Sequence, residues 1–171
     1  MNEQHHNRLQ VRIRGASAAD LPAIREIYNH YVAHSTCTYQ IEPDTEEKRA
    51  AWFANRGASH PVIVAELDGN VVAWASLSPW NLREGYARTV EASIYVRQDL
   101  HRRGIGGALL SDLIERARAL GHHAILGGVC ATQTASLALQ ERFGFRQVGC
   151  LREVGFKFGR WLDVVLMELT L

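Results

Sequence analysis

The stretch Leu100-His101-Arg102-Arg103-Gly104-Ile105-Gly106-Gly107-Ala108 joins a predicted strand, 89–96, to a long predicted helix, 104–120. Glycines let a ligand approach the backbone closely, and the free N–H groups at a helix start favour an anion, as does the helix dipole. Arg102 and Arg103 add positive charge at the same place. The stretch therefore predicts a strand, a phosphate- or pyrophosphate-binding turn and a helix, in that order.

Other interpretations of the glycines are also open. A dinucleotide fingerprint would need a third glycine where Leu109 stands, and a Walker A loop would need a G-K-[ST] sequence that is missing here. A tight strand-to-helix turn that binds no ligand fits the glycines alone equally well. Their surroundings along the chain must decide.

The rest of the chain predicts one mixed sheet. Two β-rich runs, 61–67 and 71–77, flank Asp68-Gly69-Asn70, whose Asp-Gly pair is typical of an antiparallel hairpin. Ser17 to Asp20 resembles a capping box and predicts a first helix, and Thr45 is the N-cap of a second. We expect these strands and helices to form one mixed α/β (α+β) sheet with an antiparallel front half. The remaining predicted elements are strands 11–14, 124–129, 145–150 and 164–171 and a short helix, 132–142.

Composition narrows the class of protein. Lys and Arg number 19 against 18 Asp and Glu, so the net charge of +1 gives no electrostatic case for nucleic-acid or membrane partners. The length of 171 residues predicts one domain, 11–171, after a polar tail, 1–10. No apolar stretch predicts a signal peptide or a membrane span, and three cysteines without paired spacing favour a reducing cytoplasm.

Several motifs together resemble one family. The glycine stretch is similar to the CoA-binding signature Q/R-x-x-G-x-G/A of the GNAT N-acetyltransferases, with Gly104 and Gly106 on the two small positions. The sequences Thr89-Val90-Glu91 and Lys157-Phe158-Gly159-Arg160-Trp161-Leu162-Asp163 resemble the phosphinothricin and methionine sulfoximine acetyltransferase branch, as do Asn29-His30-Tyr31, Ser35-Thr36 and Glu42-Pro43. The resemblance covers about residues 11–171. It implies the GNAT fold, which has a mixed, mostly antiparallel central sheet flanked by helices. It also implies acetyl-CoA as cosubstrate and a role in detoxifying amino acid analogues.

The resemblance also assigns the reacting groups. An α-amine is largely protonated at pH 7, so a base must accept its proton, and the glutamate matching Glu91 is the general base in similar enzymes. Backbone N–H groups of the next strand residues would face the thioester carbonyl. The cofactor-binding positions implied are Ile94, Tyr95, Val96, Arg102, Arg103, Gly104, Ile105, Gly106, Gly107 and Gln133. Without the resemblance, a solvent-facing strand carboxylate is the favoured interpretation of Glu91, and the Thr-Val-Glu match reverses that preference.

The acceptor positions follow from the same resemblance. An amino acid analogue carries an α-carboxylate and a polar group at the end of its side chain. A site that binds it needs cationic side chains, hydrogen-bond donors and an aromatic wall. The implied positions are Tyr39, Asn81, Leu82, Arg83, Glu91, Ala92 and Ser93, with Arg88 as a further cation. The alternative for Arg83 and Arg88 is a solvated surface charge with no part in binding the acceptor. Similar enzymes are homodimers, and Lys157 and Arg160 are expected to reach the acceptor or a subunit boundary.

The sequence departs from the family pattern at four places. His101 stands where the signature has Gln or Arg, and Gln133 where an asparagine is usual. Gln140 replaces a histidine of the branch, and no tyrosine lies on helix 132–142 to protonate the leaving thiolate. Two alternatives therefore remain: an acetyltransferase for a polyamine, an aminoglycoside or a protein N-terminus, and a CoA-binding protein without catalysis. The histidines lack metal-ligand spacing, so we expect no metal.

Overall fold

The predicted hairpin around Asp68 and Gly69 forms two neighbouring strands of one seven-stranded sheet in the computed structural model, which describes residues 9–171. Both turn residues have positive φ, 50° and 78°, as a two-residue hairpin turn of this type requires. The strands are β1 Arg12–Gly15, β2 Val62–Leu67, β3 Asn70–Pro79, β4 Thr89–Val96, β5 Ala124–Cys130, β6 Arg146–Lys157 and β7 Arg160–Thr170. The helices are α1 Leu21–His34, α2 Glu46–Ala54, α3 Ile105–Ala119 and α4 Thr134–Arg142, and short 3-10 turns cover Ala18–Asp20, Glu84–Tyr86 and Gln98–Leu100.

The strand order is β1-β2-β3-β4-β5-β7-β6, and every neighbouring pair is antiparallel except β4 with β5. A parallel pair needs a crossover connection, and α3 supplies it. The fold class expected from the sequence, a mostly antiparallel mixed sheet flanked by helices, is therefore confirmed.

The two faces of the sheet carry different helices. The apolar stripe of α3, including Leu109 and Leu113, packs on one face in the larger core. On the other face α1 packs around Trp74, with Ile24 and Ile27 buried against it. Because strand side chains alternate between faces, successive residues of β4 enter different environments.

The last two strands are longer than the sequence predicts. We expected strands 145–150 and 164–171, but β6 and β7 continue as a hairpin to a turn in which Phe158 and Gly159 have positive φ. Most side chains of the extension are exposed, so it lacks the burial alternation that identifies a strand in a sequence. The extension projects as a two-stranded ribbon with large apolar side chains on its surface.

Candidate active site

Strands β4 and β5 separate in the middle of the sheet. Their parallel ladder holds only the pairs Thr89 with Ala124, Val90 with Ile125 and Glu91 with Leu126. Beyond Glu91, β5 continues beside β7 while residues 92–96 of β4 pair only with β3. We call the opening between residues 92–96 and 127–130 the strand cleft. Its β4 edge presents backbone groups that β5 does not satisfy.

The glycine turn lies between the end of β4 and α3. Gly104 is the N-cap residue of α3 with φ of 87°, a conformation that glycine adopts without strain. Arg102 and Arg103 are exposed and form no ion pair within residues 9–171. The free amides of the first turn and these two cations form the arrangement expected for a pyrophosphate.

Two of the glycines also have a packing role. A Cβ on Gly106 would lie 3.4 Å from the side chain of Leu139, and one on Gly107 would lie 3.6 Å from Phe143. Both neighbours belong to α4 or its end, so small residues here let α3 and α4 approach closely. Ile105 is fully buried in the larger core and offers a ligand only its backbone.

Glu91 stands at the closed end of the strand cleft. Its side chain shares the α1 face of the sheet with Ser93 and Tyr95. Burial raises the pKa of the Glu91 carboxyl, while a backbone hydrogen bond at Gly128 opposes the shift. Glu91 forms no ion pair within the described residues. A half-buried carboxylate of raised pKa that has no counter-ion in the described chain is a fitting general base.

The other β4 positions divide between the two faces. Ala92, Ile94 and Val96 pack against the larger core, so only their backbone groups are directed along the strand cleft. Tyr95 stacks on Trp74 with ring centroids 4.7 Å apart. Ser93, on the face of Glu91, lines a cavity.

This cavity, of about 250 Å³, lies on the α1 face beside Glu91, and we call it the arginine cavity. Ser78 in its wall is the cross-strand partner of Glu91. Its lining residues are Tyr28, Gln40, Asp44, Lys48, Arg49, Trp52, Arg56, Trp74, Ser76, Ser78, Ser93 and Tyr95. Sequence reasoning missed its arginines. Arg49 and Trp52 lie on α2, but Arg56 follows the end of that helix, so helical spacing gives no signal for it in the sequence.

Of the predicted acceptor residues, Ser93 lines this cavity, whereas Tyr39 and the loop residues 81–83 do not. Asn81, Leu82 and Arg83 lie in the exposed connection after β3, where Leu82 is 94% exposed and Asn81 accepts a hydrogen bond from the Arg83 N–H. Tyr39 packs on Gly155, and its hydroxyl donates to the Asp163 carbonyl at 3.4 Å. Burial raises the pKa of the Tyr39 phenol.

Lys157 does not have the role expected of it. The sequence interpretation directed it toward the acceptor or a subunit boundary, but it is 4% exposed. Its Nζ donates to the carbonyls of Ser35 and Thr38, both at 2.7 Å. The lysine therefore fastens the loop after α1 to the β6–β7 ribbon, because three ammonium donors satisfy carbonyls well.

The residues that depart from the family pattern have structural partners. The Nε2 of His101 lies 2.5 Å from the Tyr31 hydroxyl, which donates to the Val96 carbonyl. Gln133 donates to Thr36 Oγ1 at 2.9 Å and so ties α4 to the loop after α1. The Oε1 of Gln140 is buried beside Gly127 without a partner in the described chain.

Two further observations concern the described part of the chain, residues 9–171. Within this range no cluster of three or more His, Cys, Asp or Glu side chains is arranged to hold a metal ion. No helix in the same range combines the length and apolar character that crossing a membrane requires.

Comparison with known proteins identifies the family. Residues 24–145 match the model of the Acetyltransferase (GNAT) family. An L-methionine sulfoximine/L-methionine sulfone acetyltransferase of Pseudomonas aeruginosa is 42% identical over 95% of this chain and 96% of its own, and a phosphinothricin N-acetyltransferase of Streptomyces coelicolor is 35% identical over 95% and 97%. A phosphinothricin acetyltransferase structure from Sinorhizobium meliloti in complex with AcCoA superimposes with a TM-score of 0.92 at 36% identity, over 95% of this chain and 89% of that one. This chain therefore belongs to the GNAT family of acetyltransferases.

Proposed function

We propose that this acetyltransferase acetylates the α-amine of a small amino acid analogue such as phosphinothricin, methionine sulfoximine or methionine sulfone, with Glu91 as general base. The observation that carries the proposal is the position of Glu91, a carboxylate without a counter-ion between the strand cleft and the arginine cavity. The names of the relatives supply the substrate class.

The strand cleft fits an extended acyl-CoA arm. Its β4 edge offers backbone groups from Ala92 to Val96, and the amides of α3 with Arg102 and Arg103 suit the pyrophosphate. Gln133, at the start of α4, is a further cofactor position in this proposal. When bound, acetyl-CoA supplies the activated acetyl group.

The chemistry is a direct transfer. Glu91 takes a proton from the ammonium of the acceptor, directly or through a water, which frees the nitrogen lone pair. The nitrogen forms a bond to the acetyl carbon while the carbon–sulfur bond breaks, and the electron pair leaves on the CoA sulfur. The nitrogen releases its second proton to that thiolate or to water, which leaves a neutral amide. Backbone N–H groups of β4 stabilise the charge that develops on the carbonyl oxygen.

The arginine cavity favours a small acidic acceptor over a polycation. Arg49, Arg56 and Lys48 face it, against the single carboxylate of Asp44. Its volume of about 250 Å³ suits an amino acid better than an aminoglycoside. A polyamine would be repelled by the same charges.

A free-thiol assay with acetyl-CoA tests the proposal. The panel holds L-phosphinothricin, L-methionine sulfoximine, L-methionine sulfone, spermidine, kanamycin and a peptide N-terminus. We expect turnover on the first three. Activity confined to the cationic acceptors or the peptide would contradict the acceptor class, and CoA binding without any turnover would support a non-catalytic role.

We further propose a homodimer formed through the β6–β7 ribbon. The ribbon exposes apolar side chains on an edge strand of the sheet, Val148, Val154, Phe156, Phe158 and Trp161. An apolar cavity of about 310 Å³ beside it, lined by Val32, Ile41 and Phe158 among others, would be closed by a second copy. We also propose a cytoplasmic location, which the free thiols of Cys37, Cys130 and Cys150 support.

A further inference from the structure

Arg56 is a partly buried cation without an anionic partner. Its Nη1 donates to the Leu77 carbonyl at 2.7 Å and to Ser78 Oγ at 2.8 Å. The Nε and Nη2 atoms donate to no protein acceptor within residues 9–171, and no carboxylate forms an ion pair with Arg56 there. Both atoms belong to a residue that lines the arginine cavity.

Two buried donors of residues that line the same cavity also lack acceptors within residues 9–171. Arg49 is 3% exposed and pairs with Asp44 at 2.5 Å through Nη2, and its Nε has no partner in that range. Trp74 is 2% exposed, and its indole Nε1 has no partner there either. Both atoms are closed off from solvent, so a ligand in the cavity would meet the guanidinium of Arg56 and not these two donors.

The local charge points to an anionic or strongly polar ligand. The guanidinium carbons of Arg49 and Arg56 lie 4.6 and 4.4 Å from the ring centre of Trp52, so two cations share one indole. Burial and the neighbouring charge of Arg49 both lower the pKa of Arg56. The carboxylate of Asp44 neutralises the charge of Arg49 through an ion pair, but it forms no ion pair with Arg56.

We propose that Arg56, with the hydroxyls of Ser76 and Ser93, binds the oxygen-bearing head of the acceptor side chain. The ligand class is an amino acid whose side chain ends in a phosphinate, sulfoximine, sulfone or carboxylate group. The proposal rests on the acceptor class proposed above. It assigns side-chain recognition to the arginine cavity rather than to the exposed loop 81–83.

Distance decides which acceptor group belongs there. Ser78 is directly opposite Glu91, with Cα atoms of such pairs about 4.5–5.5 Å apart, and Arg56 lies beyond Ser78 Oγ. The α-carboxylate stays next to the reacting amine and so close to Glu91. The side-chain head is separated from the amine by more bonds and reaches farther along the face. The guanidinium of Arg56 therefore matches the head.

The test compares acceptors that differ only at the head. L-Methionine sulfone and L-methionine differ by two oxygen atoms, and L-phosphinothricin carries an anionic head. Arg56→Met should lower kcat/KM for the sulfone and for phosphinothricin by about 30-fold or more, mainly through KM, and leave methionine nearly unchanged. Arg56→Lys, which keeps the charge but loses the planar fork, should restore part of the loss.

A binding readout separates this proposal from the proposed function. Intrinsic tryptophan fluorescence, titrated with L-phosphinothricin without acetyl-CoA, should give a Kd that rises about 30-fold in Arg56→Met. The matched control is Arg118→Met, an exposed arginine at the end of α3 that forms no hydrogen bond or ion pair in the described chain. Thermal unfolding of each variant checks that it folds.

The outcomes are distinct. Equal losses for methionine and its sulfone, or an unchanged Kd in Arg56→Met, would overturn the role of Arg56 while amino acid acetylation stands. A wild-type protein that neither binds nor acetylates amino acids but acetylates another amine would instead contradict the proposed function, and the head subsite with it.

Discussion

Glu91 on β4 and Leu126 on β5 form the last residue pair before the two strands separate. On its other side Glu91 pairs with Ser78, so its backbone is held by ladders on both edges. Ser93, two residues on, has a partner only on β3. The proposed base therefore lies on rigid backbone, one residue before the strand cleft begins. Its carboxylate can reach the strand cleft without movement of β4.

Replacing Glu91 with glutamine removes the base and keeps the shape. We expect kcat to fall about 100-fold or more, because general base catalysis typically contributes this much. The KM for acetyl-CoA should change little, since the cofactor contacts are backbone groups and the glycine turn. Thiol release measures both constants. Glu115→Gln, an exposed carboxylate on α3, is the control, and an unchanged kcat in Glu91→Gln would remove Glu91 from the mechanism.

The pH dependence of kcat follows from the same carboxyl. Burial raises the pKa of Glu91 above the ordinary glutamate value of 4.5, and the base acts only when deprotonated. Activity should therefore decline as the pH falls through that raised value, with the midpoint above 4.5. Measurements of kcat for the wild type in buffers of constant ionic strength would show this decline at low pH. A wild-type rate independent of pH across this range would contradict the assignment.

Local sequence chemistry predicted most of the fold. The turn at Asp68 and Gly69 and the apolar stripe of α3 are encoded by neighbouring residues, so both were recognisable without tertiary information. The β6–β7 ribbon was not recognisable, because most of its side chains are exposed and do not alternate between buried and exposed positions. Glu91 was located through the resemblance. Arg56 was missed because its importance comes from strand β3, to which it donates across the fold, and not from its neighbours in sequence.

The glycine turn offers a matched pair of variants on one helix. Gly104 and Gly121 stand at opposite ends of α3 with φ of 87° and 78°, so alanine imposes similar strain at each, about 1–2 kcal/mol. Only Gly104 borders the proposed pyrophosphate site. We expect Gly104→Ala to raise the KM for acetyl-CoA about 10-fold and Gly121→Ala to leave it unchanged. Both should lower Tm alike, and equal KM values would assign the turn a structural role only.

The β6–β7 ribbon should hold the dimer together. Trp161 is 62% exposed and packs on Phe156 with ring centroids 5.0 Å apart. A charge there would be buried against the second copy, so Trp161→Glu should shift sedimentation from dimer to monomer at equal concentration. Leu120→Glu, an exposed apolar position at the end of α3, is the control. A wild-type monomer at working concentrations would contradict the homodimer.

Acid stability should depend on Asp20, which anchors β1 to the start of α1. The guanidinium of Arg14 donates to both carboxylate oxygens at 2.7 and 2.8 Å, and the Ser17 N–H donates at 2.7 Å. Arg14 is the main cause that lowers the pKa of Asp20 from 3.8 to about 2. A shift of this size corresponds to about 2 kcal/mol of folding free energy, and Asp20 is buried, so the pair is poorly screened.

The direction in which the free energy of unfolding changes with pH follows from the lowered pKa of Asp20. The contribution of Asp20 is fully present above pH 3.8 and disappears as the pH falls toward about 2. Asp20→Asn should therefore lower the free energy of unfolding by about 2 kcal/mol near neutral pH and by progressively less in acid. Urea unfolding at several pH values measures the difference. Asp99→Asn, whose ion pair with Arg97 is exposed, should have a much smaller effect, and equal effects of the two variants would show that burial of Asp20 adds nothing.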